Sequence, residues 1–167
     1  HAKSGSITFN GVELTKTPAH KIVEMGIAHV PEGRRIFQNL TVLDNLKLGA
    51  FTRKDKENIS KDIEMVYERF PRLAERKTQI AGTLSGGEQQ RIVIARAILN
   101  KPEIILADEP TGNLDVETGR NIVKLLQEIC TQGTAIIMTT HNLNLLSEFP
   151  GKVYCCGQHQ LREASEY

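Results

Sequence analysis

The sequence predicts an α/β domain built on a parallel sheet. Short, mostly apolar runs, IAHV at 27–30, EIILA at 103–107 and TAIIMTT at 134–140, alternate with segments of helical periodicity. Strands apolar throughout are expected where helices cover both faces of a sheet. The 167 residues, 40% apolar and 25% charged, are enough for one domain with a real core. Taken in order, Ser6 to Phe9 alternates like a strand and closes on the Asn10-Gly11 turn. Pro18 to Met25 has helical character, with Gly26 as its stop. Thr41 caps a helix ahead of Asp44. KDKENISKDIEMVYERF then places Ile59, Ile63, Val66 and Phe70 on one helical face, with Pro71 ending the run. Residues 41–80 thus read as a mostly helical, highly charged insert. Ser85–Asn100, Val116–Thr131 and Asn142–Phe149 read as further helices, and KVYCC at 152–156 as a last strand.

Charge excludes little and points nowhere. The 21 basic and 20 acidic residues leave a net charge of +1, so no global field suggests nucleic acid or an acidic membrane surface. No apolar run approaches the roughly 18 residues of a membrane span, and no leader pattern opens the chain, so a cytoplasmic setting is expected. Cys130, Cys155 and Cys156 have no metal-ligand spacing and are expected to be small buried thiols in a reducing compartment.

Chemistry concentrates where apolar runs stop. In open α/β sheets ligands bind at the carboxyl ends of strands, and Asp108 and Glu109 stand where EIILA runs out. An Asp there suits a Mg²⁺ ligand acting through water, and a carboxylate one residue on can orient an attacking water. On their own, two such carboxylates fit a solvated turn better than a site. In LSGGEQQ, 84–90, Ser85 and Glu88 form a capping box, which explains those two residues but not Gly86 and Gly87. Each glycine costs on the order of 1 kcal/mol of helix stability against alanine. Bare N–H groups at a helix start, with a hydroxyl beside them, suit a terminal phosphate. His141 follows TAIIMTT, at the expected sheet edge of Glu109, and GNLD at 112–115 is a turn just beyond the carboxylates.

LSGGEQQR, ILADEP, GNLD and a histidine after a strand, in that order and spacing, resemble the nucleotide-binding subunits of ABC transporters. That resemblance implies a P-loop NTPase-like three-layer core with a helical signature subdomain. It assigns Leu84–Glu88, with Ser85, Gly86, Gly87 and Glu88, to the signature. Ile104–Asp108 becomes the Walker B strand, with Asp108 on Mg²⁺ through water. Glu109 becomes the catalytic base, Asn113–Asp115 the D-loop that places Asp115 near nucleotide, and His141 the switch histidine. Glu32, in VPEGRRIF, falls where the family usually carries the glutamine that senses metal and transporter. The implied ligands are ATP and Mg²⁺.

The phosphate loop G-x-x-x-x-G-K-[ST] occurs nowhere in residues 1–167, nor does the adenine-stacking aromatic that precedes it in the family. By resemblance, the chain begins just downstream of both, as an N-terminally truncated cassette. Such a truncation is expected to expose a sheet edge and apolar surface. The implied division is a remnant of the N-terminal core at 1–35, a helical subdomain at 36–84 and a catalytic core at 85–167. Implied partners are a second ATP-binding subunit and membrane-spanning subunits, one of which docks a helix near Phe37, Leu40, Thr41 and Phe51, with no nucleic acid. The implied location is the inner face of the cell membrane. Residues 5 to about 82 resemble the ATPases of branched-chain amino-acid importers, whereas ILADEPTGNLDVETGRNIVKLL and MTTHN resemble those of cell-division and lipoprotein-release complexes. A mosaic, an ancestral type and a splice within 83–103 all fit. The expected function is transport-coupled ATP hydrolysis, first for branched-chain amino-acid uptake and alternatively for the second kind of complex. A non-catalytic docking module is the remaining alternative.

Overall fold

The computed structural model describes residues 4–157 and 160–164. Near its start, β1 (Thr8–Phe9) and β2 (Val12–Glu13) pair antiparallel around Asn10 and Gly11, both at positive φ, as the Asn-Gly signal requires. A short helix, α1 (Ala19–Glu24), leads into β3 (Ile27–Val30). Between them Gly26 has φ 92, and its carbonyl accepts hydrogen bonds from the N–H groups of Glu103 (2.8 Å) and Ile104 (3.1 Å). A Cβ there would lie 3.3 Å from Glu103 Cγ, so the approach of the two strands begins at a residue with no side chain.

The central sheet is parallel, in the order β3, β4 (Ile104–Asp108), β5 (Ala135–Thr139). Its helices follow from their caps. Thr41 Oγ1 accepts from Asp44 N at the start of α2 (Val42–Gly49), and Asp115 does the same for Thr118 N at α6 (Val116–Thr131). Pro71 ends α3 (Lys56–Arg69) and also opens α4 (Pro71–Glu75), where its missing N–H is harmless. Ser85 and Glu88 complete their capping box at α5 (Gly86–Ile98). Residues Asn142 and Phe149 flank α7 (Leu143–Glu148).

One contiguous core joins insert and sheet, because α5 packs against α2 on one side and β3 and α6 on the other. Two polar anchors fix the joints. Asn45, fully buried, donates to the carbonyls of Phe37 and Thr41 (both 3.0 Å) and accepts from Phe37 N (2.9 Å). Arg53 donates to Leu99 O (3.0 Å) and pairs with buried Asp62 at 2.5 Å, which also meets Lys101 at 2.9 Å. The start of α3 is thereby tied to the end of α5.

The α/β parallel architecture is as expected, with three corrections. Among the described residues the sheet is covered on one face only. Register places Ala28, Ile105 and Ile136 in one row and Val30, Ala107 and Met138 in another, both packed under α5 and α6. The intervening row, His29, Leu106 and Ile137, is exposed. Thus EIILA and TAIIMTT are not buried throughout, and the open row leaves apolar side chains exposed on this face. Second, KVYCC is no core strand: β6 (Tyr154–Gly157) pairs antiparallel with β7 (Gln160–Glu163) in an exposed hairpin apart from the parallel sheet. Third, all three cysteines are exposed. Two lie in that hairpin, and Cys130 sits about a quarter of a turn beyond Ile129, the last buried residue of α6.

Candidate active site

The three parallel strands end in register, Val30 beside Ala107 and Ala107 beside Met138, so the residues that follow them emerge along one edge. Asp108 and Thr139 are the next pair. The Thr139 hydroxyl donates to Asp108 Oδ1 at 2.6 Å and accepts from Glu109 N at 3.0 Å, so one side chain of β5 engages both acidic residues at the end of β4. Glu109 adopts φ 43, a left-handed conformation that is costly for a residue with a Cβ. Its carbonyl also accepts from Gly112 N at 3.0 Å, which closes the turn and holds that conformation. The Glu109 side chain is 19% exposed, whereas that of His141 is 98% exposed, with its Nε2 3.5 Å from Glu109 Oε1. A shielded carboxylate therefore faces an open imidazole across the strand ends.

The α5 start forms a second group. Ser85 is exposed, and its hydroxyl donates to Glu88 Oε2 at 2.8 Å, while Arg76 Nε lies 3.2 Å from Glu88 Oε1. Burial would raise the Glu88 carboxyl, but Ser85 and the Arg76 and Arg72 charges hold it below the usual carboxylate range. Packing within the chain gives Gly87 a reason that spacing could not supply: a Cβ there would lie 2.6 Å from Thr118 Cγ2, whereas one on Gly86 would meet the mobile end of the Arg34 side chain. Gly87 is buried, so Ser85 and Gly86 present the surface of this helix start.

Residues 112–115 bridge the two groups. Arg34 Nη2 donates to Asn113 O at 3.3 Å, and Asn113 itself has φ 59. Asp115 is committed to its cap, and its hydrogen bonds to Thr118 hold its carboxyl below the usual range. Among the described residues no hydrogen bond or ion pair joins the α5 start directly to Glu109 or His141. Glu32 is exposed at the same sheet edge, two residues past β3, with no such partner among the described residues. Sequence reasoning missed Thr139, Arg34, Arg76 and Thr118. The polar pair Thr139-Thr140 ending an apolar strand was the available signal for the first.

For Mg²⁺, the donor set is lean. No group of three or more His, Cys, Asp or Glu side chains converges among the described residues. Mg²⁺ keeps most of its waters and commonly takes one or two carboxylates plus phosphate oxygens, so exposed Asp108, with one oxygen oriented by Thr139, fits that mode. Farther out, Phe37, Leu40 and Phe51 are exposed as the docking expectation requires, but Thr41 is half-buried and engaged as a cap. No helix among the described residues is long and apolar enough to cross a membrane.

The ABC transporter family model matches residues 1–112. The chain is 40% identical over 153 residues to the high-affinity branched-chain amino acid transport ATP-binding protein BraG of Pseudomonas aeruginosa, covering 92% of this chain and 65% of that protein. It is 35% identical over 147 residues to the lipoprotein-releasing system ATP-binding protein LolD of Shewanella oneidensis, covering 85% of this chain and 64% of that protein. The chain thus spans less than two thirds of the length of either relative. Among solved structures, a nucleotide-free ATP-binding cassette from an ABC transporter superposes with a TM-score of 0.81 over 96% of this chain and 68% of that chain, at 22% identity. A dimeric ATP-binding cassette in a post-hydrolysis state, bound to ADP and Pi, superposes at 0.71 with 28% identity, over 86% of this chain and 65% of that one. The chain belongs to the ABC transporter family, and its relatives there are the ATP-binding proteins.

Proposed function

We propose that residues 1–167 form the hydrolytic part of an ATP-hydrolysing ABC transporter subunit whose phosphate loop lies outside them. The observation that carries this reading is that Asp108, Glu109 and His141 meet at one end of the parallel strands, Thr139 bonding Asp108 and the Glu109 N–H while His141 Nε2 lies 3.5 Å from Glu109 Oε1. In this reading Glu109 takes a proton from the attacking water. Its left-handed turn and the bond from its N–H to Thr139 fix the backbone from which the carboxylate projects, which suits a base that must be in place before the γ-phosphate arrives. His141, free to swing, contacts the γ-phosphate and orders the water. Mg²⁺, when bound, would neutralise the β- and γ-phosphate charge, with Asp108 as its carboxylate and Glu32 as a neighbour at the edge. Ser85 and Gly86, supported by Gly87 and Glu88, present the α5 start to the nucleotide of a second subunit, and Asp115 keeps the bridging turn in shape. Residues 1–35, 36–84 and 85–167 act as N-terminal remnant, helical subdomain and catalytic core.

Two such subunits close on ATP and transmit closure to membrane-spanning partners at the inner face of the membrane, through the surface around Phe37, Leu40 and Phe51. The 40% identity to BraG over nearly the whole chain favours branched-chain amino-acid uptake. The GNLD turn and the 35% identity to LolD favour the lipoprotein-release or cell-division alternative. The discriminating experiment is ATP-driven leucine uptake by proteoliposomes carrying the full-length subunit with its membrane partners. Accumulation that requires ATP is expected. ATP turnover stimulated by a lipoprotein acceptor system, with no leucine uptake, would move the assignment to the alternative.

A further inference from the structure

Arg34 brings a positive charge to the α5 start that the chemistry of Asp108, Glu109 and His141 leaves unused. Past β3 the chain turns through two left-handed residues, Gly33 at φ 78 and Arg34 at φ 50, and the Arg34 carbonyl accepts from Ile36 N at 2.6 Å. Glycine adopts that conformation freely, whereas an arginine does so at a cost. Glu109 and Asn113 carry the same kind of strain just beyond β4. The turn sends the half-buried Arg34 side chain across to two other segments. Its Nη2 donates to Asn113 O at 3.3 Å, and its Nη1 lies against Gly86, in the space that a Cβ there would need.

One long bond is all that holds this guanidinium. Among the described residues no carboxylate pairs with it, not even Glu32 two residues earlier. The acids at the neighbouring helix starts are committed elsewhere, Glu88 to Ser85 and Arg76, and Asp115 to the cap of α6. A guanidinium carries several N–H donors in one plane, so most of those on Arg34 remain for an incoming anion. The Ser85 hydroxyl already donates to Glu88, and the charge that lies on Gly86 is that of Arg34.

We propose that Arg34 is a catalytic residue for the ATP held by the other subunit: on closure its guanidinium donates to the γ-phosphate that meets Ser85 and Gly86. The proposal rests on the reading above, in which the α5 start faces the nucleotide of a second subunit. In hydrolysis the water oxygen bonds to the γ-phosphorus while Glu109 takes the water proton. The bond from that phosphorus to the β–γ bridging oxygen breaks, and its electron pair leaves with ADP. Negative charge spreads over the γ-phosphoryl oxygens as this happens, and a cation delivered by the facing chain stabilises it. Each catalytic centre then combines Glu109 of one chain with Arg34 of the other, so closure completes it.

The test uses the full-length subunit assembled with its membrane-spanning partners, with mixed pairs of ATP-binding subunits isolated through two affinity tags. Hydrolysis is read as steady-state turnover and as single-turnover cleavage of trapped ATP, for which one competent centre suffices. Arg34→Met in both subunits should lower kcat on the order of 10² and change KM by less than about threefold, with Arg34→Lys recovering part of the loss. When Glu109→Gln and Arg34→Met sit on separate chains, action across the interface leaves one centre with both residues native. That pair should cleave ATP like a pair of native with Glu109→Gln. When both substitutions sit on one chain beside a native partner, cleavage should fall to the Arg34→Met rate. The reverse ordering, equal rates in the two pairings, or native kcat in Arg34→Met would overturn the proposal and leave Glu109 as the base. Hydrolysis at the native rate with Glu109→Gln in both subunits would instead overturn the reading beneath it. Should Arg34→Met fail to fold, Arg34→Lys in the same pairings must give the same ordering.

Discussion

The two faces of the β3–β4–β5 sheet are built from the same kinds of residue and meet opposite surroundings. On β4, Ile105 and Ala107 are buried under α5 and α6, while Leu106 between them is 39% exposed, and its neighbour Ile137 on β5 is 59% exposed. Apolar character along a parallel strand therefore records what both faces are suited to, not what covers them within these residues. Stability should come from the covered face. The open face should tolerate change, and the strand ends it shares carry the proposed chemistry.

The largest expected effect is at the covered face. Ile105→Ala should cost about 4 kcal/mol by chemical denaturation, since it removes a fully buried side chain among α5 and α6. A cost near that of an exposed site would break the comparison.

Next is the polar joint beside that core. Asp62→Asn should cost about 2 kcal/mol, because it neutralises the buried carboxylate that both Arg53 and Lys101 meet, although Arg53 keeps Asp55 as a partner. Burial acts to raise the Asp62 carboxyl, but hydrogen bonds and charge from Lys101 and Arg53 outweigh it and hold the group below its usual range. A carboxyl depressed on folding contributes stability above its unfolded pKa of about 3.9, and that contribution is lost as pH falls through the folded value. Denaturation between pH 3 and 6 should accordingly show a steeper loss on the acid side for the native protein than for Asp62→Asn.

A smaller effect is expected at the α5 cap. Ser85→Ala should cost about 1 kcal/mol, read from the thermal midpoint, because it removes one arm of the capping box. The smallest is on the open face, where Ile137→Thr should change stability by less than about 0.5 kcal/mol and keep β propensity. A large loss there would mean that something covers the row.

Much of this was legible in residues, for identifiable reasons. The expected bounds of α6, Val116–Thr131, match the structure, where Asp115 caps its start and its buried residues form one apolar stripe. The Asn10-Gly11 turn and the Gly26 stop declare themselves through backbone demands that few other residues meet. Long-range pairing was not legible. Nothing in GRR announces that Arg34 reaches Asn113 and Gly86, because that contact needs β3 and β4 side by side first. The same is true of Thr139, whose role depends on register with Asp108. The pattern also misjudged KVYCC, since apolar content cannot distinguish a core strand from one arm of an exposed hairpin. Cys130 was misjudged because small apolar residues on a helix signal burial only when their angle matches the stripe.

The most direct measurement compares the native full-length protein with Glu109→Gln, following ATP binding and hydrolysis in the same samples. The account predicts unchanged nucleotide affinity and a fall in hydrolysis on the order of 10² to 10⁴, the usual contribution of a positioned base. Hydrolysis at the native rate in Glu109→Gln would contradict the assignment of Glu109, and with it the reading of this sheet edge as the catalytic centre.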